Sequence, residues 1–351
     1  MINDPDTKPD SHSPGNLLNR RRFFLQSGAA IFTTALLTSC SDLLHDIIPE
    51  KKDAETEKEP KADEPKRDQT LAFFGDSLTI GAGGTFPYWT LVGSMLPGRN
   101  CVGDGIGGQV ALSISTRQGG TPLKITVEGD KLDGTNAVKV TKLSNEFLST
   151  PINYNTYSRA GTVAGVKCTI TRMANEAQGE IYSITPESAS TAAISPNSEF
   201  VLEDSSRLRS ATQILWYGRN NVEHVTAEDE IVTALDSSIA YISDPKRYIV
   251  LGVLLAVPEI KGTEKYNQVV AINDHLSSKY GRAFVPMTPP TEAEMAAIGY
   301  TPNAQDMKDL ENMNFPTGLR PDNKADDIHI NDKGYQIIAN RVVAKLKELN
   351  Y

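Results

Sequence analysis

Short apolar runs alternate with helical segments at both ends of the folded part of the chain, and this alternation restricts the fold most. The strand-like runs are residues 70–74, 100–102, 213–217, 248–255 and 283–287. Apolar residues at helical spacing mark residues 86–96, 226–242 and 264–280, and a final helix capped by Asn331 and Asp332 and running to about Leu349. Alternation of this kind indicates a parallel sheet covered by helices on both faces. We therefore predict an α/β core built from residues 70–112 and 211–351.

The segment between these two parts breaks the alternation. Residues 113–210 are rich in Thr, Ser, Asn and Gly, and they contain period-two runs at 123–127, 137–140, 166–170 and 180–184. Such runs are typical of half-buried strands. We predict a small antiparallel β subdomain inserted into the α/β core, and not a repeat, because no fixed period is present.

The N-terminus has the pattern of an export signal. Arg20, Arg21 and Arg22 precede an apolar run at residues 27–37 that is much shorter than the roughly 20 residues of a membrane-spanning helix. The segment resembles a twin-arginine signal, and the residues before Cys40 resemble a lipobox. We expect residues 1–39 to be a signal peptide and Cys40 to carry lipid, so that the exported protein stays on a membrane. Residues 40–69 are strongly charged and should form a disordered tether.

Composition excludes several classes of function. With 35 Lys and Arg against 44 Asp and Glu, the net charge of −9 provides no basic field for nucleic acid. Three cysteines are too few for a disulfide scaffold, although Cys101 and Cys168 could form one disulfide or remain free thiols. The sequence shows no cluster with metal-ligand spacing, and we expect no metal and no cofactor.

One serine and one histidine stand out as a nucleophile and its base. Ser77 follows the first predicted strand directly, at the edge of the sheet where α/β proteins bind ligands. Asp326 precedes His329 by three residues, so its carboxylate can hold one ring nitrogen while the other nitrogen accepts a proton. Ser77 could instead only cap a helix, and Asp-x-x-His could be a solvated turn.

With two further blocks, the chain resembles the GDSL, or SGNH, hydrolases. Residues 74–79 (Phe-Gly-Asp-Ser-Leu-Thr), 105–109 (Gly-Ile-Gly-Gly-Gln), 218–221 (Gly-Arg-Asn-Asn) and 326–329 follow the family's order. The resemblance implies a flavodoxin-like parallel sheet and a Ser77–His329–Asp326 triad. It also implies an oxyanion hole made by the amides of Ser77, Gly108 and Asn220. The last residue of the third block is Asn221 where Asp is usual.

The resemblance further implies a serine esterase that forms an acyl-enzyme. Together with membrane anchoring, it suggests O-acetyl groups on an envelope or extracellular polysaccharide as substrate, with Asp76, Arg219 and Asn221 as further candidates for substrate contact. A lipase acting on other acyl esters remains open. So does a glycan-binding surface lipoprotein with an inactive core.

A dinucleotide site is a competing interpretation of one loop. Residues 103–108 satisfy the Gly-x-Gly-x-x-Gly spacing and follow a strand. However, no clear helical pattern follows, the acidic residue about 20 positions on (Asp130) falls in the insertion, and the motif is not in the first βα unit. We therefore favour the hydrolase.

Overall fold

The computed structural model describes residues 67–323 and 325–351. The predicted signal peptide, the lipidation site at Cys40 and most of the charged tether lie outside the described residues. Within the described ranges, no helix is both long enough and apolar enough to cross a bilayer.

The described chain is built from the following strands and helices. The strands are β1 (Leu71–Gly75), β2 (Cys101–Gly105), β3 (Lys124–Val127), β4 (Val138–Leu143), β5 (Tyr157–Val163), β6 (Val166–Asn175), β7 (Gly179–Pro186), β8 (Ser198–Leu202), β9 (Thr212–Trp216), β10 (Tyr248–Leu251) and β11 (Phe284–Val285). The helices are α1 (Ser77–Ile80), α2 (Tyr88–Met95), α3 (Ala111–Gln118), α4 (Glu203–Arg207), α5 (Ala227–Tyr241), α6 (Glu264–Tyr280), α7 (Glu292–Ala297), α8 (Ala304–Glu311) and α9 (Asp332–Glu348).

Five parallel strands form the core sheet, which confirms the predicted α/β class. Their order across the sheet is β2-β1-β9-β10-β11, the order of flavodoxin-like folds. The chain adds β2 on one side of β1 and then β9, β10 and β11 on the other side, so the order in which strands are added reverses at β1. Ligands of open α/β sheets bind at the carboxyl edge beside such a reversal, and this is where the loops after β1 and β9 emerge.

Alternate residues of the central strand serve two separate cores. Leu71 and Phe73 face α2 and α9, whereas Ala72 and Phe74 face α3, α5 and α6. The strand is buried on both faces, which explains why it reads as a continuous apolar run. Helix α9 begins at its predicted cap, where the side chain of Asn331 accepts hydrogen bonds from the backbone N–H groups of Lys333 and Gly334.

The core differs from the sequence prediction in two places. Helix α3 follows β2 directly and packs against α5, so the boundary expected after residue 112 falls inside a core helix. Strand β10 ends at Leu251 although the apolar run continues to residue 255. Beyond the strand, the N–H of Val253 donates to the side chain of Asn273 on α6, and the chain leaves the sheet.

The insertion is antiparallel, and its strands close into a six-stranded barrel, a closure that the sequence patterns do not predict. Its strands pair in the order β3-β4-β7-β6-β5-β8, and β8 returns to β3 to close the barrel. The pairing of β3 with β8 joins strands that are far apart in sequence, and period-two patterns carry no information about it. The interior has its own apolar core, which includes Ile125, Ile170 and Phe200.

A buried arginine connects the barrel to the core. Arg117 of α3 donates to the carbonyl oxygens of Gly75 and Asp104 at 2.8 and 3.0 Å, and it forms a 2.7 Å ion pair with the Asp104 carboxylate. Arg159 of β5 pairs with the same carboxylate at 2.6 Å. Burial opposes ionisation of Asp104, but the two guanidinium groups hold its pKa below the usual range. The ends of β1 and β2 are thus tied to the barrel.

We predict that Arg117→Met lowers the free energy of unfolding by about 3 kcal/mol, because it removes one partner from a largely buried ion pair. Urea unfolding at pH 7 measures the change. Arg207→Met is the matched control: Arg207 pairs with Asp204 on the surface, and its loss should cost at most about 1 kcal/mol. Equal losses in the two variants would contradict the importance given to Arg117.

Candidate active site

Ser77 is the first residue of α1, directly after the turn that ends β1. Asp76 caps this helix, because its Oδ1 accepts from the N–H of Leu78 at 3.0 Å. The turn needs glycine before it: a Cβ at Gly75 would lie 2.1 Å from Oγ1 of Thr79. Ser77 is 6% exposed, so its side chain lies at the floor of the carboxyl edge and not on the open surface.

Asp326 and His329 form the predicted pair. Nδ1 of His329 lies 2.9 and 2.8 Å from the two carboxylate oxygens of Asp326, and the backbone N–H of His329 donates to Oδ1 at 3.0 Å. Burial works to raise the pKa of Asp326, but these hydrogen bonds and the imidazole lower it overall. The carboxylate therefore stays charged and orients the ring.

The second ring nitrogen of His329 is available for chemistry. Nε2 is shielded from solvent and has no hydrogen-bond partner among the described residues. The loop after α1 lies against this histidine, since a Cβ at Gly83 would be 2.7 Å from Cβ of His329. Within the described chain, Ser77 and Nε2 form no hydrogen bond with each other. Such bonds are often loose in enzymes without substrate and tighten in the complex.

A second buried arginine, Arg320, supports the histidine loop, and no sequence motif marks it. Arg320 donates to the carbonyl oxygen of Ile328 at 3.1 Å and to that of Leu255 at 2.9 Å. Burial lowers the pKa of Arg320 to about 10, which leaves it charged at neutral pH. It fixes the backbone immediately before His329 to the loop that follows β10.

Two backbone amides are free to bind an oxyanion. Considering the described residues only, the N–H groups of Ser77 and Gly108 donate to no protein acceptor. Gly108 has a φ of +75°, a left-handed conformation that favours glycine. A Cβ on the preceding Gly107 would lie 3.6 Å from Cβ of Ser77, so the loop passes beside the serine.

Asn220 lies at the same edge, but its amide group is already bonded twice. Its Nδ2 donates to Oδ2 of Asp76 at 3.0 Å and to the carbonyl oxygen of Gln109 at 2.9 Å. An oxyanion bound by Asn220 would have to replace one of these acceptors. The amide nevertheless joins the serine turn to the loop that contains Gly108, which places it between the two other oxyanion candidates.

The three further candidates for substrate contact have partners within the protein. Arg219 is buried and forms a two-pronged ion pair with Glu259 at 2.7 and 2.8 Å, so it offers no open cation. Asn221 accepts from the N–H of Ala111 and donates to Glu230. Asp76 caps α1. Each of these three side chains stabilises a loop of the site through bonds within the protein.

The barrel contributes to the site through the loop that follows β4. Oγ1 of Thr150 donates to the carbonyl oxygen of Gly107 at 2.6 Å. Ile152 is 61% exposed, and one of its methyl groups would lie 2.7 Å from a Cβ at Gly107. From the other side, Gln109 donates to the carbonyl oxygens of Phe147 and Ser149 at 2.9 Å. Period-two patterning does not reveal these loop contacts.

Other candidates from the sequence lie elsewhere. Cys101 in β2 and Cys168 in the barrel are free thiols. His224 and His275 also have carboxylate partners, Glu230 and Glu228, but both pairs are exposed and lie on α5, on α6 and in the loop before α5. Across the part of the chain that the structure covers, no group of three His, Cys, Asp or Glu side chains could hold a metal.

No family model matches this chain, and no curated protein matches it. The solved structures that match it include the following two. The lipase Lip_vut3 from a goat rumen metagenome has 11% identity and a TM-score of 0.39, covering 79% of this chain and 96% of that one. A possible lipase from Chitinophaga pinensis has 10% identity and a TM-score of 0.37, covering 80% and 98%. At TM-scores below 0.5, neither similarity assigns an activity to this chain.

Burial raises the pKa of Asp76 from 3.8 to about 6. At pH 4 the folded protein keeps this carboxyl neutral, whereas by pH 7 it must ionise a buried group. The contribution of Asp76 to stability is therefore lost as the pH rises through 6.

We predict that Asp76→Asn removes this loss. Asparagine keeps an oxygen for the N–H of Leu78, but it does not ionise. The free energy of unfolding of the variant minus that of the wild type should grow between pH 4 and pH 7.5, by about 2 kcal/mol. Urea unfolding at several pH values measures this difference. If the free energies of unfolding of the two proteins changed in parallel with pH, the ionisation of Asp76 would have no effect on stability.

Proposed function

We propose that this protein is a serine hydrolase of carboxylic esters. The observation that carries the proposal is His329: its Nδ1 is held by Asp326, its buried Nε2 has no hydrogen-bond partner among the described residues, and the loop after the helix of Ser77 lies against it. A general base needs this arrangement, in which one nitrogen is fixed and the other is free to accept a proton.

The residues support an acyl-enzyme mechanism. Ser77 Oγ attacks the ester carbonyl carbon while Nε2 of His329 takes its proton. The amides of Ser77 and Gly108, with Asn220, stabilise the oxyanion. The bond to the alcohol oxygen then breaks, and the alcohol leaves with the proton from His329. Water, deprotonated by the same nitrogen, attacks the acyl-enzyme and releases the carboxylic acid and free Ser77.

The finer proposal concerns type, substrate and location. The four ordered sequence blocks favour an esterase of the SGNH type, and the signal-like N-terminus favours an exported protein anchored through lipid on Cys40. Surface anchoring favours O-acetyl groups on an envelope or extracellular polysaccharide as the substrate. A lipase for other acyl esters and a glycan-binding lipoprotein with an inactive core are the alternatives that the experiments below distinguish.

We predict that Ser77→Ala abolishes hydrolysis of p-nitrophenyl acetate, and that Asp326→Asn lowers kcat by roughly 10³- to 10⁴-fold, because the ring loses its orienting charge. Initial rates measured by p-nitrophenolate absorbance test both. Asp327→Asn is the matched control, since this exposed neighbour does not bond His329. A Ser77→Ala protein with wild-type turnover would refute the mechanism.

We also predict that Asn220→Ala lowers kcat on the same ester by roughly 10²- to 10³-fold, the usual effect of losing one oxyanion donor. The thermal unfolding temperature of the variant separates this effect from a structural one, because Asn220 also bridges Asp76 and Gln109. If kcat falls no further than the folded fraction does, Asn220 serves only as a bridge.

A further inference from the structure

A cavity of about 370 Å³ opens beside the oxyanion loop, at the junction of the core and the barrel. One wall belongs to the core loop at Gly108 and Gln109. The opposite wall belongs to the barrel, at Glu146, Ser149 and Glu180. The volume lies within the range of small-molecule sites, about 300 to 1,000 Å³. A substrate whose carbonyl sits at Gly108 would therefore extend toward the barrel.

The cavity continues across the outside of the barrel. A second cavity of about 440 Å³ shares Glu146, Ser149 and Glu180 with the first, and its lining follows the paired strands β4 and β7 and includes Lys139 and Lys142. The two adjoining spaces form one groove that starts beside Gly108 of the oxyanion loop and ends on the barrel. A groove of this extent has room for several linked units of a chain.

One carboxylate in the groove is held in a fixed position. Oε1 of Glu180 accepts from Nε of Arg172 at 2.9 Å, and Oε2 accepts from Oγ of Ser149 at 2.5 Å. Arg172 itself is buried, and it also donates to the carbonyl oxygen of Asn155. Groups fixed in this way can recognise a ligand without being ordered on binding.

The other charged groups of the groove are free to bind. Within the described ranges, the carboxylate of Glu146 and the amines of Lys139 and Lys142 form no ion pair and no side-chain hydrogen bond. Carboxylates accept hydrogen bonds from hydroxyl groups, and ammonium groups donate to them. A hydrocarbon chain placed here would remove water from these charges without replacing its hydrogen bonds.

Resting on the hydrolase function proposed above, we infer that this groove binds the sugar chain of an O-acylated polysaccharide. The acyl group lies at Ser77 and Gly108, and the sugar hydroxyls face Glu146, Glu180 and Lys142. The barrel then supplies substrate specificity to an esterase core, and the groove disfavours long-chain lipid esters.

The test compares two substrates in the full chain, acetylated xylotetraose and p-nitrophenyl acetate. The double variant Glu146→Gln with Lys142→Ala should lower the ratio of kcat/KM on the sugar to kcat/KM on the small ester at least tenfold, mainly through KM. The matched control is Glu199→Gln with Lys167→Ala, which changes exposed residues on strands β8 and β6. Its ratio should stay at the wild-type value.

Three results would overturn the inference. The two double variants could give equal ratios, or the wild type could cleave p-nitrophenyl acetate and a palmitate ester but not the acetylated sugar; both leave the hydrolase function standing. If the wild type cleaves no ester, the hydrolase function fails. Calorimetric titration with xylotetraose and chitotetraose then tests independently whether the groove binds a sugar chain. Binding that is lost in the groove variant would support it, and no binding to the wild type would overturn it.

Discussion

The contact between Arg117 and Asp104 is the interaction on which the arrangement of the site depends most. The guanidinium group bonds the last carbonyl of β1 and both the carbonyl and carboxylate at the end of β2, and its Nε donates to Gln109 at 2.8 Å. These atoms belong to the turn before Ser77 and to the loop that contains Gly108. A charge in this position is costly to bury, and its five donors all need acceptors. The need to satisfy them fixes the relative position of the two strand ends.

The barrel extends this arrangement. Arg159 reaches the same Asp104 carboxylate, Gln109 bonds carbonyl groups of the barrel loop, and Ile106 is buried in the core of the barrel. The segment from residue 105 to residue 110 is therefore held on one side by the sheet and on the other by the insertion. An oxyanion site requires donors that do not reorganise during the reaction, and two rigid neighbours provide that.

Sequence patterns predicted those parts of the molecule that depend on local order. The buried strand before Ser77, the cap of helix α9 and the contact of Asp326 with His329 each involve residues that are close together in the sequence, and the structure has each of them. The roles of these residues in catalysis stay predictions.

Contacts between distant residues were not predictable in the same way. Helix α3 buries Ser113, Thr116, Arg117 and Gln118, and its only buried apolar side chains are Ala111 and Ile114, which are too few to mark an apolar face in the sequence. Its polar groups are satisfied instead by residues from other elements, such as Gln213, which Gln118 contacts at 2.6 Å. The partner of Arg219, Glu259, lies 40 residues further along the chain. Local sequence does not reveal this pairing, so Arg219 looks like a free cation that could contact substrate.

The position of the barrel within the chain also has a consequence for folding. Leu71 of β1 pairs with Thr212 of β9, and every residue of the barrel lies between them. An unfolded connection of that length makes the pairing entropically slow, whereas β5, β6 and β7 are consecutive antiparallel neighbours with short-range contacts. We expect these three strands to pair early, and the later closure of the barrel by β3 and β8 to bring the two halves of the sheet together. The insertion would then act as an internal folding scaffold for the domain that contains it.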